Sequence, residues 1–168
     1  MILSKQRTVF SGAVTGQVTT VGTAATYTGL CLSNPNGSGV NLIVDRVGAA
    51  FAVAFPAAAV IGLMSGLSAT NVTHTTPVTP YNQFAGTAGL AKLDSAATLT
   101  GTPTLTHVLG AGLTGAITTT PSQPGGFVFE EGSLVIPPGG YVAIYTSTAS
   151  GTAAGAFSFT WQEVLQGS

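Results

Sequence analysis

His74 and His107 are the only imidazoles in this chain, and Cys31 is its only thiol. Acid–base or metal chemistry at a histidine needs a carboxylate or a second ligand within reach. Neither histidine has an acidic residue nearby in sequence. His74 sits among threonines and reads as a solvated side chain. His107 alternates with Leu105 and Leu109 and reads as a half-buried, hydrogen-bonded strand residue. Cys31 lies in the apolar stretch 27–32, which predicts a small buried side chain rather than a reactive thiol. A single cysteine also excludes an intrachain disulfide.

Two further patterns could carry chemistry. Gly110-Ala111-Gly112-Leu113-Thr114-Gly115 matches the dinucleotide fingerprint G-x-G-x-x-G, with Glu130 about 20 residues on. That fingerprint works only where a helix begins, so that its N-terminus meets the pyrophosphate. Here Ile117, a run of threonines and Pro121 follow, which is no helix. Glu130 and Glu131 could be read as an acid/base pair. Adjacent strand residues point to opposite faces, so a solvated hairpin tip is the better account. No Gly-x-Ser-x-Gly elbow occurs. The residues supply no catalytic set, cofactor site or metal site, and no enzymatic activity is expected.

Charge is scarce. Lys and Arg number four and Asp and Glu five in 168 residues, or 5% of positions, where an ordinary soluble domain has about a quarter. Four scattered cations cannot make a basic patch, which argues against nucleic acid as a partner. A lone globule stays dispersed by surface charge of both signs. A chain without it is expected to spend its life with much of its surface covered, by lipid or by protein. Residues 47–67 are uncharged and long enough to span a bilayer. Gly48, Pro56, Gly62 and Gly66 interrupt them, no cationic cluster flanks them, and large and small residues alternate: Ile43, Val47, Phe51, Val53 and Phe55 against Gly48, Ala50, Ala52 and Ala54. Alternation is a strand signal, so protein is the expected cover and a membrane is not.

The elements are those of an all-β protein. Extended segments recur between clusters of Gly, Pro, Asn and Ser. Strands are expected at 14–21, 26–32, 40–55 with a bend near Gly48, 57–64, 105–109, 115–119, 141–146 and 156–164. A hairpin is expected with arms 127–129 and 134–136. Turns are expected at Asn34–Gly39 and Pro137–Gly140. Pro56 and Pro77 suit strand starts or edges. Residues 77–82 and 85–97 read as a long irregular central loop. The last strand places Phe157, Phe159 and Trp161 on one face. The expectation is a single-domain antiparallel β-sandwich of the jelly-roll type, with about 8–10 strands over residues 13–168 and an N-terminal arm over residues 1–12. Asn36-Gly37-Ser38 and Asn71-Val72-Thr73 match the glycosylation triplet but read as incidental in a chain rich in Asn and Thr.

Three stretches carry a resemblance. They are Leu32-Ser33-Asn34-Pro35-Asn36-Gly37-Ser38-Gly39-Val40-Asn41-Leu42, Gly132-Ser133-Leu134-Val135-Ile136-Pro137-Pro138-Gly139-Gly140-Tyr141-Val142-Ala143, and Phe157-Ser158-Phe159-Thr160-Trp161-Gln162-Glu163. In style they resemble the small jelly-roll decoration, or cement, proteins of tailed-bacteriophage capsids. The resemblance implies a homotrimer on the outer surface of an assembled capsid, bound to the major capsid protein and stabilising it. It implies no catalytic residues. Met1–Phe10 holds no apolar run long enough for a signal peptide, so synthesis in the host cytoplasm is expected. The charged and aromatic residues Lys5, Arg7, Asp45, Arg46, Lys92, Asp94, Phe157, Phe159 and Trp161 are the expected subunit or capsid contacts. Other small virion proteins, a minor coat protein or tail-tip adhesin, fit the same composition. A carbohydrate-binding β-sandwich is the alternative of a different class, with Tyr27, Tyr81, Tyr141, Tyr145 and Trp161 as stacking surfaces.

Overall fold

The structure is a computed structural model that describes residues 8–16, 27–51, 59–83, 88–112, 127–147 and 155–167. Its strands are β1 (Thr8–Gly16), β2 (Tyr27–Ser33), β3 (Val40–Phe51), β4 (Ala59–Leu67), β5 (Thr73–Val78), β6 (Tyr81–Asn82), β7 (Lys92–Thr98), β8 (Thr104–Gly112), β9 (Phe127–Ile136), β10 (Gly140–Thr146) and β11 (Gly155–Leu165). They form two antiparallel sheets, ordered β6-β1-β11-β3-β9 and β5-β7-β2-β10-β4-β8. Without β5, β6 and β7, the sheets read β1-β11-β3-β9 and β2-β10-β4-β8. The chain crosses between sheets at each successive strand except from β4 to β8, which are neighbours in one sheet, and its first and last strands are neighbours. That is the order of a jelly roll. The β5–β7 segment is an insertion that extends both sheets on the side of β1 and β2. β1 takes in residues 8–12 of the segment read as an N-terminal arm; Lys5 and Arg7 lie outside the described residues.

Alternation builds the core. Phe10, Leu42, Val44, Val47, Phe157, Phe159 and Trp161 from one sheet meet Leu30, Leu32, Leu63, Leu93, Val142 and Ile144 from the other. The Phe10 and Trp161 rings stack at 5.8 Å between centroids. Each buried aromatic or aliphatic side chain of this kind contributes about 1.5–3 kcal/mol over its exposed state. A second apolar cluster lies on the outer face of the β2–β10–β4 sheet. It contains Tyr27, Cys31, Met64 and Tyr141, roofed by Val72 and Leu99 from the loops after β4 and β7.

The bend in β3 falls at Asp45, not Gly48. Arg46 pairs with Thr160 and Val44 with Trp161, so Asp45 has no opposite on β11; the β9 register also slips between Val44 and Arg46. One extra residue reverses the phase of alternation. Val44 and Val47 both face the core, Ile43 turns outward, and Asp45 and Arg46 lie on the outer side together rather than on opposite faces. Val53 and Phe55 lie outside the described residues, as do 17–21 and 115–119.

Two loop readings are corrected. Glu130-Glu131-Gly132 is not a hairpin tip. β9 runs through it, because both arms pair with β3: Glu130 opposes Arg46, and Leu134 opposes Val44. The turn-forming residues are absorbed as a ladder irregularity instead. Within the expected central loop, residues 77–78 and 81–82 belong to β5 and β6, and residues 92–97 belong to β7, which pairs with β5 on one side and β2 on the other. Its low strand propensity is overridden by ladders on both edges and by Leu93 pointing into the core. Pro77 lies in β5, which is an edge strand as expected of it.

Candidate functional site

β5 and β7 bring His74 and Asp94 together across twenty positions of chain. His74 Nδ1–H donates to Asp94 Oδ2 at 2.6 Å. Asp94 is wholly buried, while the His74 side chain is 34% exposed. Asp94 Oδ1 has no partner among the described residues. The carboxylate lies beside Cys31, its strand partner on β2. Burial first, and the neighbouring Asp94 charge second, push the Cys31 thiol well above its usual range. A neutral, sealed thiol is neither a nucleophile nor a metal ligand. Tyr27 is raised chiefly by burial, and its hydroxyl donates to the Ile144 carbonyl at 2.9 Å. Tyr141 is pushed up to about 12, again chiefly by burial, and donates to the Thr100 carbonyl at 2.9 Å. These are structural hydroxyls whose one proton is already engaged.

His107 lies on β8. β5 and β8 are opposite edges of one sheet, with four strands between them, so the two histidines stand about 24 Å apart at ordinary strand spacing. Gly110, Ala111 and Gly112 end β8, in extended backbone rather than at a helix start; residues 113–115 lie outside the described residues. Among the described residues, no three His, Cys, Asp or Glu side chains converge on a metal position. No described helix is long and apolar enough to cross a membrane.

The expected contact residues divide sharply. Phe157, Phe159 and Trp161 fill the core at 1% exposure or less and offer a neighbour no surface. Asp94 is buried likewise, and Lys92 beside it is exposed. Arg46 is exposed on the outer side of the β3 bulge, where Gln162 Nε2–H donates to Asp45 at 2.7 Å. Glu163 serves the fold: its carboxylate accepts the Leu90 and Ala91 backbone N–H groups at 2.9–3.0 Å and ties the approach to β7 onto β11.

The surface that sequence reasoning missed lies on the far flank. Neither β4 nor β8 contains an Asp, Glu, Lys or Arg. Val60, Leu105 and Val108 are exposed there, and Leu67 and Val135 are 69% and 50% exposed beside them. Leu67 and Val135 border a shallow groove of about 400 Å³, lined also by Thr102, Thr104, Pro137 and Tyr141. The signal available in the sequence was the charge-free composition of both strands; their adjacency was not. The chain matches no protein family, no curated protein and no solved structure.

Proposed function

We propose that this chain is a virion structural protein of the capsid-decoration type, which binds the outer surface of an assembled capsid as a homotrimer and stabilises it. The observation that carries the reading is the uncharged, apolar flank of β4 and β8 on a jelly roll with very little charge anywhere. Large exposed apolar patches on soluble domains mark interaction sites. Covering this flank with a coat subunit or another copy removes that surface from water and shields the β8 edge, which would otherwise template strand pairing. Stabilisation would be mass action: a ligand that binds only the assembled lattice favours that lattice.

The carbohydrate-binding alternative is less well supported. Tyr27, Tyr141 and Trp161 are buried, which leaves Tyr81 exposed and Tyr145 half-buried for stacking on a sugar. The test is native mass spectrometry of the purified chain, then co-sedimentation with phage capsids that lack it and thermal melts of those capsids. The expected results are a trimer, saturable binding and a raised capsid melting temperature. A chain that stays monomeric and leaves the shells untouched refutes the proposal.

A further inference from the structure

We infer that Asn36 is a site of spontaneous covalent change, and that its own hydrogen bonds set the rate. Asn36 and Gly37 are exposed at the tip of the β2–β3 turn, which the Ser38 N–H closes onto the Pro35 carbonyl at 3.2 Å. Gly37 sits at φ 76, and a Cβ placed there would meet nothing within 4 Å. Its N–H makes no hydrogen bond to another described residue. An unhindered, unengaged amide directly after asparagine is the nucleophile that imide formation requires. The Gly37 nitrogen attacks the Asn36 side-chain carbonyl carbon, the Cγ–Nδ2 bond breaks, and ammonia leaves with the Gly37 proton. Solvent water then opens the cyclic imide at either carbonyl, which leaves aspartate or isoaspartate.

The electrophile is restrained. Asn36 Nδ2–H donates to the Ala69 carbonyl at 2.7 Å and to that of Ser68 at 3.4 Å, and its backbone N–H donates to Asn71 Oδ1 at 2.7 Å. These bonds clasp the β2–β3 turn to the loop after β4. The leaving nitrogen is pinned, so cyclisation starts from the state in which the clasp has opened. The product cannot close it again. A carboxylate has no proton to donate and would set negative charge against two carbonyl oxygens. The loop so released carries Val72, part of the roof over Tyr27, Cys31 and Tyr141. The change is therefore a one-way latch on that end of the sandwich.

The other described asparagines are internal controls. Asn34 precedes Pro35, which has no N–H, and Asn41, Asn71 and Asn82 precede Leu42, Val72 and Gln83. The experiment is incubation of the folded chain in mildly alkaline buffer, with peptide mapping for the amide-to-acid mass gain and for isoaspartate. Conversion is expected at Asn36 and not at the controls. N71A is expected to convert several-fold faster, because it removes one clasp bond. N71D keeps the acceptor oxygen and should convert at the wild-type rate, which separates loss of the clasp from general loosening. N36D is expected to lose amide-exchange protection at residues 68–72. Two results overturn the inference: Asn36 converting in the folded chain as fast as in the free peptide of residues 33–42, or N71A converting no faster than wild type.

Discussion

His74→Ala should destabilise this protein more than replacement of the acid it serves. The imidazole removed is about one-third exposed, but the carboxylate left behind is fully buried, and its other oxygen is already unpartnered among the described residues. A hydrogen bond to a charged group is worth about 1.5–3 kcal/mol, and solvent around His74 screens part of it. The expected loss is about 2 kcal/mol, or about 4–8 °C in Tm for a chain of this size. Asp94→Leu removes the charge itself, beside Cys31 and the apolar side chains packed around it. His74 then turns to water. Apolar replacement of a buried charge pair is often neutral or stabilising, so D94L should cost less than about 1 kcal/mol. The double variant H74A/D94L should be no worse than D94L, a coupling visible in a double-mutant cycle. Urea titrations or thermal melts of the four proteins decide it. If D94L costs as much as H74A, the buried carboxylate is not the liability argued here, and the reasoning fails.

Alkaline pH should weaken the fold in two stages. Cys31, Tyr27 and Tyr141 are all held above their usual ranges, chiefly by burial, so the folded chain keeps protons that the unfolded chain gives up. Stability then falls as pH rises, from about pH 8.5 for the thiol and about pH 10 for the phenols, with about 1.4 kcal/mol lost per pH unit per group. Melts from pH 7 to 11 should show both stages, and C31A should lack the first. Gly139→Ala should cost more than Gly101→Ala, although both glycines have positive φ. A Cβ at Gly139 would meet the Ser68 carbonyl oxygen and Asn36 Oδ1 at 2.5 Å, whereas at Gly101 it meets nothing within 4 Å. Gly101→Ala should cost about 1 kcal/mol of backbone strain; G139A should cost clearly more, read as a larger fall in denaturant midpoint.

The sequence was sufficient wherever the information was local. Asn34–Gly39 and Pro137–Gly140 were legible as turns because Asn-Gly, Pro and Gly specify backbone angles without help from the rest of the fold. Gly37, Gly39 and Gly139 indeed take φ of 76°, 73° and 82°. The alternation of Phe157, Phe159 and Trp161 marked one face of a strand. It could not say whether that face meets another subunit or the chain's own second sheet, and packing decided for the latter. The scarcity of charge is plain in the sequence, but its consequence depends on which strands become neighbours.

Tertiary structure decided everything that rests on a partner far away in the chain. Glu130-Glu131-Gly132 carries the signal of a turn, yet β3 pairs with both sides of it, so the strand continues through it with a break in register. Lys92–Thr98 has the propensity of a loop and is an interior strand, because two neighbours supply its hydrogen bonds. His74 gained Asp94, Asp45 became the bulge that turns Arg46 outward, and β4 and β8 joined two uncharged strands into one apolar flank. Composition and turn chemistry determined that this chain would be a β-sandwich poor in charge. Register between distant strands is set by the summed burial and pairing of the whole sheet, and only the assembled fold could determine which side chains meet and which surface remains to be covered.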